Sequence, residues 1–214
     1  MIKRKGNEKM RILKKFNKGA ILTIIVLVAL VIYLVGVENQ RKEDKTIIKQ
    51  KCEEIVDVID ECMVYPEDMQ KLGEEVSEEN QEKYKEEIKK KLAEKMIDNK
   101  EAVEIQAKIL IANLNYQNDE NEIRTKYKRN IDKITGYQFE GDQVTVTFLS
   151  TVQVEKKYKD GLTGEEQTSS QNFSTSNDEI VLQKIDGNWK IVYTNLQYNE
   201  YGNSAIDSNS VVMY

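Results

Sequence analysis

Few residues of this sequence have the chemistry of a catalytic or metal site. Histidine is absent, which removes the usual proton carrier near neutral pH and every Ser-His or Cys-His nucleophile pair. The acidic cluster of Asp119, Glu120 and Glu122 lacks the spacing and the glycine of a calcium loop, so we interpret it as a solvated charge run. We therefore predict a non-enzymatic protein with no cofactor, no catalytic residues and no metal site.

Both cysteines belong to a repeating apolar pattern. Between residues 46 and 63 apolar side chains recur with spacings of four, three, four and three, at Ile48, Cys52, Ile55, Ile59 and Cys62. This spacing is typical of a seam between two coiled-coil chains, and also of one amphipathic helix packed on its own domain. Within one straight helix the two cysteines lie about 15 Å apart, too far for a disulfide. They are either small buried side chains or partners of their copies across an oligomer seam.

The single tryptophan, Trp189, has two interpretations. It opens the last predicted strand and is suited to anchoring a core. A curved sheet packed against helices often encloses a pocket, and Trp189, Tyr193 and Phe148 are our candidate lining residues for such a pocket. Both interpretations stay open at the level of the sequence.

An uncharged run predicts one membrane-spanning helix. Residues 20–37 contain no charged side chain, and as a helix they extend about 27 Å, close to the thickness of the hydrocarbon layer. Of the 32 basic and 37 acidic residues, eight and one lie in residues 1–19, which leaves 24 and 36 beyond them. The positive-inside rule then places residues 1–19 in the cytoplasm and the C-terminal domain outside. A cleaved signal peptide is the alternative, but the run is long and no A-x-A-like site closes it.

Periodicity changes along the remaining chain from helical to extended. Residues 38–74 form a helical stalk or the first helix of the domain, and Pro66 ends that helix. Ser77 begins a second helix with a stripe at Tyr84, Ile88, Leu92 and Met96, and a third helix follows over residues 100–115. Strands are predicted near residues 131–139, 143–154, 168–185 and 189–196, and residues 199–214 as a mobile polar tail. The fold class is α+β, with helices on the concave face of an antiparallel meander of about four strands.

The order of helices and strands, together with the last hairpin, carries a resemblance to a known superfamily. That hairpin reads Lys184-Ile185-Asp186-Gly187-Asn188-Trp189-Lys190-Ile191. Over residues 75–198 the chain resembles the NTF2-like superfamily, whose fold is a cone of helices on a curved sheet. With its basic tail and single anchor, the whole chain is similar to VirB8-like proteins of conjugative type IV secretion, including TcpC-like proteins of Gram-positive bacteria. The resemblance implies an assembly scaffold that forms homo-oligomers and contacts other membrane channel subunits.

Charge narrows the range of partners. The excess of acidic side chains beyond residue 19 disfavours direct nucleic-acid binding, because that binding requires clustered Lys and Arg. The expected partners are the lipid bilayer, through residues 20–37, and protein subunits of the cell membrane. An extracytoplasmic module that binds a small ligand or serves the cell envelope is the alternative function, since NTF2-like folds also serve as ligand binders.

Overall fold

The computed structural model describes residues 18–116 and 121–198. The chain divides into two compact units, one ending at Thr46 and one beginning at Ile47. The predicted polar tail at 199–214 and nearly all of the predicted basic tail lie outside the described residues. The division at residue 46 places residues 47–62 of the first helix in the second unit, and residues 63–74 follow that helix as turns and irregular chain.

In the first unit, the described residues form the N-terminal part of one long helix. Helix α1 spans Lys18–Cys62, and it contains the predicted membrane segment. The apolar side chains of the membrane segment are exposed, including Leu27, Leu30 and Leu34, which are 55%, 52% and 54% exposed. This helix is long and apolar enough to cross a membrane, as the sequence predicted.

Two further helices lie in the second unit. Helix α2 spans Glu78–Ala93, and the Ser77 hydroxyl accepts a hydrogen bond from the Asn80 N–H as its N-cap. Helix α3 spans Lys100–Tyr116 and begins after Asn99, whose side chain accepts hydrogen bonds from two backbone N–H groups. The predicted apolar stripes of both helices are confirmed as buried, since the Ile88, Leu92 and Leu110 side chains have no exposed area.

Four antiparallel strands follow in the order β1-β2-β3-β4, and they form a curved sheet. Their bounds are Glu122–Glu140, Gln143–Lys159, Glu166–Ile185 and Asn188–Asn195. The predicted α+β class and four-stranded meander are confirmed. Strand β1 begins about nine residues earlier than predicted. The prediction missed its first half because bulges near residues 125, 132 and 135 interrupt the alternation of apolar and polar residues.

Helix α1 contributes its apolar stripe to the core of the second unit. Ile48, Cys52, Ile55, Ile59 and Cys62 are at most 1% exposed, and they belong to one hydrophobic cluster with α2, α3 and the sheet. The hypothesis of an oligomer seam is therefore corrected: these side chains are already covered by their own chain. The stripe is that of an amphipathic helix packed on its own domain, and both cysteines are free thiols.

This assignment predicts a loss of stability when the stripe is truncated. Ile55→Ala is expected to lower the free energy of unfolding by about 2 to 5 kcal/mol, because it leaves a cavity in a packed core. Ile47→Ala is the matched control, since Ile47 lies on the same helix but is 46% exposed. Chemical denaturation of both variants measures the difference. A fall in oligomer mass without any loss of stability in Ile55→Ala would instead support the hypothesis of an oligomer seam.

Candidate functional site

A buried ion pair lies on the core face of the sheet. The Arg129 guanidinium on β1 contacts the Asp178 carboxylate on β3, and both side chains are 0% exposed. Arg129 Nη1 also donates to Ser150 Oγ at 3.0 Å, and Nη2 donates to Tyr127 Oη at 3.0 Å. The Thr175 hydroxyl donates to the same Asp178 carboxylate, as does the Ser150 hydroxyl. A charged pair withdrawn from water is thus surrounded by hydrogen-bond partners.

The segment that follows β4 closes this cluster. Arg129 Nη2 donates to the Gln197 carbonyl, and the Gln197 N–H donates to Asp178 Oδ1 at 2.8 Å. Leu196 and Tyr198 on either side are 0% and 1% exposed. The backbone N–H and C=O of one residue, Gln197, are therefore both held by the two members of the ion pair.

Bulges in two strands bring these polar groups to one face. In β3 the register shifts opposite Phe148 and Ser150, so that Thr175 and Asp178, three residues apart, both point into the core. In β1 the register shifts after Arg124, so that the Arg124 and Tyr127 side chains, three residues apart, are also both buried. Regular alternation places residues three apart on opposite faces, so the cluster depends on these irregularities.

A second buried guanidinium holds the end of helix α1. Arg124 has no exposed area, and its Nη1 donates to the Met63 carbonyl at 3.1 Å, one residue after α1 ends. Its guanidinium lies 5.0 Å from the centre of the Tyr127 ring. Burial lowers the pKa of Arg124 to about 10, still well above neutral pH. A cation at a helix C-terminus compensates the exposed carbonyl dipoles there.

Helix α1 also places one carboxylate in the core of the domain. Asp60 is 4% exposed, and its Oδ2 accepts a hydrogen bond from the Arg129 backbone N–H at 2.7 Å. Its Oδ1 has no hydrogen-bond partner within the described part of the chain. Burial raises the pKa of Asp60 to about 6, although the Arg129 N–H and the charges of Arg129 and Lys128 act in the opposite direction.

The structure places the three predicted pocket residues at different positions on the sheet. Trp189 is 4% exposed, contacts the Phe139 ring edge to face, and borders a cavity of about 230 Å³. Phe148 is fully buried opposite Asp178, and Tyr193 pairs with Val181 on the neighbouring strand. Neither lines this cavity or a larger groove of about 860 Å³, which runs between α2 and α3 past Met96. A pocket shared by these three residues stays a prediction from the sequence.

We call the buried pair of Arg129 and Asp178, with Ser150, Thr175 and the Gln197 backbone that it binds, the clamp. It joins β1, β2 and β3 to the segment after β4. Asp178 and Ser150 have no access to solvent, so a substrate has no route to either group. In the described ranges no group of three or more Cys, Asp or Glu side chains could hold a metal ion. Protein-family models, curated proteins and solved structures give no match to this chain.

The sequence contains a partial signal for the clamp in the positions of two of its polar residues. Ser150 lies in phase with Phe148 and Val152, and Asp178 lies two residues before the buried Ile180. A polar residue at a core-facing position of a strand requires a buried partner, so this phase could have indicated a polar cluster. Arg129 had no such signal, because the bulges of β1 disrupt its alternation.

Removal of the carboxylate tests the energetic role of the clamp. Asp178→Ala leaves the Arg129 guanidinium buried without its counter-ion, and is expected to cost about 3 to 5 kcal/mol of unfolding free energy. Glu155→Ala removes the partner of Lys126 from a pair that is 32% and 47% exposed, and is expected to cost at most about 1 kcal/mol. The double variant Arg129→Met/Asp178→Leu is expected to regain part of the loss. Equal effects of Asp178→Ala and Glu155→Ala in urea denaturation would refute the clamp.

The raised pKa of Asp60 predicts a pH dependence of stability. Since the folded-state pKa of about 6 lies above the ordinary value of 3.8, the folded protein binds this proton more tightly than the unfolded chain. The resulting stabilisation is complete below about pH 4 and is lost as the pH rises through about 6. Asp60→Asn is therefore expected to gain stability relative to the parent, by about 1 to 3 kcal/mol, between pH 4 and pH 7. Asp68→Asn, exposed in the turn region after the helix, is the control. A pH-independent difference for Asp60→Asn would contradict the expectation.

Proposed function

We propose that this protein is a single-pass, membrane-anchored scaffold with residues 1–19 in the cytoplasm and its C-terminal domain outside. More specifically, it is a VirB8-like assembly component of a conjugative type IV secretion channel, with an NTF2-like domain that self-associates and contacts other channel subunits. The observation that carries the proposal is the row of exposed apolar side chains on helix α1, from Leu22 to Val35. Such a surface is stable in lipid and unfavourable in water.

The interior of the domain supports a scaffold over a ligand binder. A ligand site needs a cavity into which a few polar groups point. Here the polar groups of the sheet, Arg129 and Asp178, bind each other and the backbone C=O and N–H of Gln197. Trp189 and Phe148 are buried in the core. A domain filled in this way presents its outer surface to partners.

An extracytoplasmic ligand-binding module is the second candidate, and one observation favours it. The groove of about 860 Å³ combines apolar side chains such as Met96 and Val103 with the lysines Lys90, Lys100 and Lys190. The lining also carries the acidic residues Glu86, Asp98, Glu101 and Glu104. A small ligand with an apolar body and a polar group of either sign matches it. The scaffold remains our preferred function, because the groove is open and has no buried polar group directed into it.

Thiol labelling of the full chain in intact cells tests the anchor and its direction. Burial raises the pKa of Cys52 to about 12 and that of Cys62 to about 11, so both native thiols are expected to react slowly. A cysteine at Leu162, where the native side chain is 98% exposed, should react with a membrane-impermeant maleimide, and one at Asn7 should react only after lysis. The reverse pattern would overturn the orientation. A chain recovered without membranes would overturn the anchor.

Self-association is the second test of this function. The detergent-solubilised full chain is expected to sediment as a dimer or larger oligomer that dissociates on dilution. A monomer at every concentration up to the high micromolar range would overturn the scaffold proposal and favour the ligand-binding module.

A further inference from the structure

Part of strand β3 has one edge without a strand partner. Residues 167–174, which we call the β3 edge segment, pair with β2 from Gln167 opposite Tyr158 to Ser174 opposite Thr151. Strand β4 pairs only with residues 179–185, further along β3. Within residues 18–116 and 121–198, no strand covers the outer side of this segment. About 27 Å of backbone therefore presents N–H and C=O groups to its surroundings.

The β3 edge segment lacks the features that normally protect an edge. Its sequence, QTSSQNFS, contains no charged residue, no proline and no glycine. Its register with β2 is unbroken, because the nearest bulge lies beyond Thr175. Natural proteins usually prevent strand pairing at exposed edges with lysines, prolines or bulges. A long regular edge without these features has free backbone groups that can pair with another strand.

The opposite edge of the same sheet is guarded in the usual way. Strand β1 carries Lys126, Lys128 and Lys133 among its charged residues, and it contains three bulges. Asp60 also accepts the hydrogen bond of the Arg129 backbone N–H. The open edge of β3 is therefore a local property of one segment and not a general property of this sheet.

Charge indicates which partner this edge accepts. Beyond residue 19 the chain has 24 basic and 36 acidic residues, so most of its surface repels a second copy. The β3 edge segment is neutral, and paired with its own copy it places no like charges opposite each other. A self-complementary patch is the requirement for a two-fold symmetric contact.

We propose that two copies of this chain associate through antiparallel pairing of their β3 edge segments, which joins their sheets edge to edge. The inference rests on the proposed scaffold function and names the surface through which its copies assemble. A two-fold axis perpendicular to the joined sheets places one residue of the segment directly opposite its own copy. Backbone hydrogen bonds supply the affinity, and the neutral side chains avoid repulsion.

Added charge on the segment is expected to separate the copies. Ser170 and Asn172 are exposed, so Ser170→Lys/Asn172→Lys should leave the monomer folded while it places like charges across the pair. We expect the dissociation constant of the full chain in detergent to rise about tenfold or more, measured by sedimentation over a dilution series. Gly161→Lys/Leu162→Lys adds the same charge in the exposed turn before β3 and should change it little. Equal effects of the two variants would overturn the proposal.

Disulfide trapping tests the pairing itself. Single cysteines are introduced at each position from 168 to 174 of the full chain, in which both native thiols are buried. We expect the yield of oxidised dimer to peak at one position and to fall on both sides, because only the residue on the axis faces its own copy. A flat profile, or no dimer at any position, would overturn the pairing.

The outcomes separate this inference from the function on which it rests. If the full chain is a monomer under all conditions, the scaffold and the edge pairing both fail. If it self-associates but neither the lysine nor the cysteine variants respond, the scaffold stands and the edge pairing fails. If only a chain ending at Tyr198 dimerises through the segment, residues 199–214 of the same chain compete for the edge, and the proposal is overturned for the intact protein.

Discussion

A guanidinium and a carboxylate that are both removed from water must stay paired, and the domain is arranged around this constraint. Arg129 on β1 and Asp178 on β3 meet across β2, where Ser150 contributes a hydroxyl to both. The same pair binds both backbone polar groups of Gln197, its N–H and its C=O. Breaking any one of these contacts leaves a charge or a backbone group unsatisfied in a low-dielectric interior. The clamp therefore couples three strands and the segment after β4 into one cooperative unit.

Helix α1 is attached to this unit by polar contacts as well as by apolar packing. Asp60 accepts the Arg129 N–H, and Arg124 donates to the carbonyl of Met63 just beyond the helix end. The stripe from Ile48 to Cys62 adds the apolar part of the contact. These two directional hydrogen bonds join the C-terminal end of the helix to defined positions on β1.

With its interior filled, the domain has its outer edges and grooves left for interaction. The edge of β1 is charged, bulged and partly capped by Asp60, whereas residues 167–174 of β3 form a neutral and regular edge. A membrane anchor confines neighbouring copies to two dimensions and raises their effective concentration. Under that condition even a contact formed mainly by backbone hydrogen bonds is suited to assembly.

The sequence by itself determined the elements whose pattern is local. The uncharged run within residues 20–37, the stripe of Tyr84, Ile88 and Leu92, and the alternation from Val144 to Val154 each identify an element and its apolar face. Tertiary structure decided what covers each face. The α1 stripe fits a second chain or its own domain equally well by spacing, and the fold buries it in the domain. It also joined Arg129 to Asp178. Periodicity reports which side of an element is apolar, but bulges and strand register, which depend on distant residues, determine which side chains meet.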